Sequence, residues 1–83
     1  MTENELNMRF DEFDVSEIHR VRRYFDIDLE DIKDVRIYED EKEAVDAYFP
    51  YDKNKNYKRL YAKLDAEGFY FPTRSGLIEL ICY

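Results

Sequence analysis

Between Asp26 and Asp46 the chain reads DIDLEDIKDVRIYEDEKEAVD, which sets ten carboxylates against three cations, Lys33, Arg36 and Lys42. The difference, 3 − 10 = −7, equals the formal charge of the whole protein, so the rest is neutral on balance. Ionised side chains resist removal from water, so this segment cannot enter a core as a block. Its carboxylates must face outward while the few apolar residues among them, Ile27, Leu29 and Ile32 first, find the interior.

The remaining bounds follow from size. A chain of 83 residues is one domain, and a domain this small buries only about 60–65% of the surface its unfolded chain exposes. Charged residues make up 40% of it, well above the typical 25% or so, which describes a modest core under a very polar skin. Eight Tyr and six Phe cannot all fit that core, so some Tyr are expected at the surface, where an amphipathic ring suits an interface. The lone Cys82 excludes an internal disulfide, and Met1–Phe10 does not resemble a leader. No apolar run approaches the roughly 20 residues that cross a bilayer. A reducing, cytoplasmic setting and no membrane are expected. An acidic chain is repelled by nucleic acid, so its partner should be cationic.

Read in order, residues 1–8 look like a flexible polar tail. Asp14-Val-Ser-Glu17 has capping-box spacing and opens a helix with Val15, Ile18, Val21 and Phe25 on one face. Asp26–Lys33 reads as a loop, and Asp34–Tyr38 alternates as a strand with Val35 and Ile37 inward. Glu39 and Asp40 open a second helix whose stripe is Ala44, Val45, Tyr48 and Phe49; Pro50 ends it. Tyr57–Leu64 fits both periods. The Asp65-Ala-Glu-Gly68 turn signal followed by Phe69-Tyr-Phe71 favours a hairpin, so it is assigned as a strand. Pro72–Gly76 is a further turn and Leu77–Cys82 the last strand. The expected fold is a small single α+β domain, 1–83, with two short helices on one face of a mostly antiparallel sheet of about four strands ending in a three-stranded meander.

Catalytic chemistry finds little support. His19 and Cys82 lie at opposite ends of the chain, and serine occurs only at 16 and 75. Asp26, Asp28 and Glu30 alternate as in a calcium loop, but the sixth position is Asp31 instead of Gly and the twelfth Ile37 instead of Glu. Zinc spacings, phosphate loops and dinucleotide fingerprints are missing. No enzyme activity, cofactor or metal is expected. The cluster His19, Arg20, Arg22, Arg23 reads as an intramolecular partner of the acidic segment, because a nucleic-acid binder would normally present a basic domain.

The acidic segment carries the functional expectation. Carboxylates two apart on a strand lie about 6.5 Å apart, and three or four apart on a helix about 5–6 Å, which approaches the spacing of phosphates along a nucleic-acid strand. Glu39, Asp40, Glu43 and Asp46, with Asp26, Asp28 and Glu30, would then substitute for phosphates, and Tyr48, Tyr51 and Tyr57 would flank them as anchors. In overall character, short, acidic, rich in Tyr and without catalytic residues, the chain resembles the small inhibitors of phages and mobile elements, including DNA-mimic anti-restriction and anti-CRISPR proteins. The resemblance implies a stoichiometric inhibitor of a basic, nucleic-acid-handling protein; no motif of those families is matched and no residue is carried over. The alternatives are a merely solubilising face, with Lys42 paired to Asp46, or an assembly module that self-associates through aromatic surface and strand edges such as Leu77–Cys82.

Overall fold

The computed structural model describes all residues, Met1–Tyr83. Four helices, α1 (Glu3–Arg9), α2 (Val15–Tyr24), α3 (Glu41–Tyr48) and α4 (Tyr57–Glu67), accompany three strands, β1 (Ile32–Tyr38), β2 (Phe69–Thr73) and β3 (Gly76–Cys82). The sheet is antiparallel with order β1-β3-β2, so the last strand in sequence is the central one. The α+β class and the single small domain are as the sequence predicts. The layering differs, because the sheet is covered on both faces.

One face carries Ile32, Val35, Ile78 and Leu80 against Met1 and Leu6 from the N-terminus and Ile18 and Val21 of α2. The other carries Tyr38, Tyr70 and Leu77 against Ala44 and Val45 of α3 and Leu64 of α4. A strand buried from both sides reads as a continuous apolar run rather than an alternation. Leu77-Ile-Glu-Leu80 of β3 is such a run, and all four residues are buried.

Local chemistry explains the helix boundaries, including two that the sequence reading missed. Residues 3–9 form a helix where a polar tail is expected. Thr2 caps it by accepting from the Glu5 amide, Leu6 is fully buried, and the Met1 amine donates to the Ile32 carbonyl at 2.6 Å. Tyr57–Leu64 is helical, not a strand. Asn56 accepts from the Arg59 amide as N-cap, and Tyr57, Leu60, Tyr61 and Leu64 keep helical spacing against the second core cluster. Gly68, taken as a turn residue, instead closes this helix through its amide on the Leu64 carbonyl. Two helices thereby become four, and about four strands become three.

Asp14 caps α2 by accepting from Ser16, but the expected capping box is only half made, since Glu17 pairs with Arg20 at 2.6 Å. The helix ends in a Schellman arrangement. Asp26 sits at φ 56°, its amide on the Arg23 carbonyl and the Ile27 amide on that of Arg22. Leu29–Asp31 is a single 3-10 turn, and β1 starts two residues earlier than expected, at Ile32.

Candidate functional site

Two features could carry function: the acidic surface anticipated from the sequence, and a buried carboxylate that was not anticipated.

The acidic segment is not one ribbon. Asp26, Asp28 and Glu30 precede β1 and Glu39, Asp40 and Glu43 follow it. Seven strand residues separate the two groups, which puts them about 20–25 Å apart. All six side chains are exposed, and none takes part in an ion pair. Asp40 and Glu43 work locally: Asp40 accepts from the Glu43 amide at 2.9 Å, and the Glu43 carboxylate accepts from the Glu39 amide. Such caps leave the charge at the surface, where the helix dipole favours it.

Asp46 stands apart from the set. It accepts from Lys55 Nζ at 2.7 Å and from the Tyr57 hydroxyl at 2.9 Å, and the Lys55 bond first, then Tyr57, holds its carboxyl below the ordinary value of 3.8. Lys42, expected to pair with Asp46, lies over the Tyr57 ring at 5.1 Å instead. Asp46 therefore ties α3 to the loop that follows it and to the start of α4. Of the three tyrosines assigned as anchors only Tyr51 is free, at 93% exposure. The α2 cations do not neutralise the acids either. Arg20 pairs with Glu17, and Arg22 donates to His19 and to the Ile27 carbonyl, while the cations that reach the segment are Lys55, on Asp46, and Arg9 of α1, on Asp34 at 2.7 Å.

Glu79, at the middle of β3, is the only buried acid, 5% exposed. The register puts it opposite Arg36 on β1 and Tyr70 on β2. Its Oε1 accepts from Tyr38 at 2.7 Å, and its Oε2 from Tyr48 at 2.6 Å and Tyr70 at 2.9 Å. One carboxylate thus gathers a hydroxyl from each flanking strand and one from the last residue of α3. Burial first, and then the Glu79 bond, pushes the Tyr38, Tyr48 and Tyr70 hydroxyls above their ordinary 10.0. No buried side-chain nitrogen or oxygen is left without a partner.

No protein-family model, curated protein or solved structure matches the chain. The sequence did hold a signal for Glu79: a single acid inside an otherwise apolar strand, where an ionised group must be provided with partners. The four residues of the cluster come from four separate segments, so their convergence required the fold. No group of three or more His, Cys, Asp or Glu side chains is placed to hold a metal ion, and no helix is long and apolar enough to cross a membrane.

Proposed function

We propose that the protein is a non-enzymatic acidic interaction protein that binds a basic, nucleic-acid-handling protein and inhibits it by standing in for a polyanion, as anti-restriction and anti-CRISPR DNA mimics do. The observation that carries this reading is the set of six exposed carboxylates, Asp26, Asp28, Glu30, Glu39, Asp40 and Glu43, with no cation paired to them. Unpaired like charges cost folding stability by self-repulsion, and the cost is recovered when Lys and Arg of a partner dock on them. The contact would be two-pointed, one acidic group at each end of β1, with the exposed Tyr51 available beyond the far end of α3. Asp46, Tyr48 and Tyr57 are left out of it because their polar atoms are spent within the fold.

Self-association through strand edges has less support. Leu77–Leu80 is paired on both sides, and Ile81 and Cys82 on one. Of the two outer strands, β2 carries Pro72, and the Val35 amide of β1 is capped by the Asp34 carboxylate at 2.9 Å, both ways of blunting an edge.

The test is affinity capture from a native extract by the wild-type protein, against a variant with Asp26, Asp28, Glu30, Glu39 and Glu43 changed to Asn or Gln. Asp40 is spared to keep the helix cap. The expected result is a nucleic-acid-binding protein retained at low salt, released as salt rises and lost in the variant. Capture that survives neutralisation of these carboxylates would refute the reading.

A further inference from the structure

Glu79 has four lone-pair positions on its carboxylate, and the tyrosines occupy three of them. One position on Oε1 is left over. The four ion pairs of the protein all lie elsewhere, so this buried charge has no cation within 4 Å. Buried charges in proteins are ordinarily paired.

Two hollows, of about 370 and 460 Å³, adjoin Glu79 and share Tyr48, Glu67, Gly68 and Glu79 as walls, with Lys63 lining the first and Arg36 the second. Their volumes fall in the range of small-ligand sites, and aromatic walls around one or two polar groups fit that pattern. Gly68 lets the Tyr70 ring pack against the backbone, since a Cβ there would lie 2.8 Å from a carbon of that ring. Glu67, exposed at the rim, adds a second negative charge. Tyr48 divides the hollows. It is only partly buried and ends α3, so it is the one of the three hydroxyl donors that can turn aside to water.

We infer that this cleft receives a guanidinium group, either an arginine side chain presented by a partner protein or a small free guanidine, seated on Glu79 with its plane against the tyrosine rings. A guanidinium fits better than an ammonium because it is planar, weakly hydrated, forked to match a carboxylate and able to stack on aromatic faces. Arg36, which lines the larger hollow, already shows the stacking mode. The Arg36 guanidinium carbon lies 5.8 Å from the Tyr48 ring centroid, short of an ion pair with Glu79. The cleft is independent of the six surface carboxylates, and either can fail without the other.

The experiment is an amide NMR titration of the full chain with Nα-acetyl-arginine amide as the side-chain probe and agmatine as the free one. The neutral isostere Nα-acetyl-citrulline amide and Nα-acetyl-lysine amide serve as comparisons. Saturable shifts are expected at Gly68, Phe69 and Ile81, with a dissociation constant of about 1 mM or below for the better guanidine, and binding at least tenfold weaker for citrulline and for Glu79→Gln. Lysine is expected to bind several-fold more weakly than arginine. Arg36→Ala, which removes a like charge from the rim, should bind several-fold more tightly. Whichever guanidine binds more tightly identifies the source, and the Glu39→Gln/Glu43→Gln protein should titrate as wild type does. Absence of saturable shifts, or equal affinity for the citrulline and arginine probes on the wild-type protein, overturns the inference whether or not Glu79→Gln folds.

Discussion

Replacing Glu79 by Ala removes the shared acceptor of three hydroxyls, and the consequence can be worked from their burial. Tyr38 and Tyr70 are 7% and 6% exposed, so neither hydroxyl can reach bulk water without displacing the core. A buried donor left without an acceptor costs about 1–3 kcal/mol. Tyr48 is 37% exposed and can turn to solvent, for about 1 kcal/mol or less. The sum is about 2–7 kcal/mol, against a total stability of about 4–12 kcal/mol for a chain of this length at 0.05–0.15 kcal/mol per residue. Glu79→Ala should therefore lower the urea midpoint severely or unfold the protein. Glu79→Gln keeps an acceptor on the two Oε2 donors and offers its amide to the Tyr38 oxygen, so it should lose much less. Tyr70→Phe should cost about 1–2 kcal/mol and more than Tyr48→Phe. Circular dichroism through a urea titration measures all four. A Glu79→Ala protein within about 0.5 kcal/mol of wild type, or a Tyr48→Phe as costly as Tyr70→Phe, would refute the idea that the network is buried and shared as described.

The tyrosines give a pH prediction of definite sign. The Tyr38, Tyr48 and Tyr70 hydroxyls are raised above 10.0 by burial and the Glu79 bond, and Tyr61 is pushed up to about 12 by burial and then by Asp65 and Glu41. Groups raised in the folded state stabilise it fully below their unfolded value, near pH 10, and that stability is lost as pH rises further. Absorbance titration of the eight tyrosines should show a late-ionising fraction released together with alkaline unfolding, and all eight ionising together near pH 10 in a folded protein would contradict it. Gly76 stands at φ 132°, where a Cβ would lie 2.5 Å from the Tyr38 carbonyl oxygen. Gly76→Ala should cost about 1–3 kcal/mol or more in the same urea assay, and a neutral result would mean the β2–β3 turn differs from that described.

What the linear chain decided is whatever depends on neighbours a few residues apart. The α2 and α3 starts follow from Asp14 and Asp40 accepting nearby amides, the end of α3 from Pro50, and the extended run of β1 from its β-branched residues, although Ile37 is only partly buried and Tyr38 is buried on the other face. The exposure of the acidic groups flanking β1 belongs here too, since ionised side chains without partners stay out of the interior. Tyr57–Leu64 marks the boundary of that method. Its apolar residues satisfy both periods, and packing against Ala44 and Val45 chose the helix.

The tertiary structure decided everything that joins distant segments. Placing the last strand between the other two buried both faces of Leu77–Leu80 and brought Tyr38, Tyr48 and Tyr70 onto Glu79, from up to 41 residues away. It also split the acidic segment by running β1 straight through it, and gave Asp46 to Lys55. Local pattern specifies which side chains avoid water, but only the chain's path through the sheet specifies which of them meet.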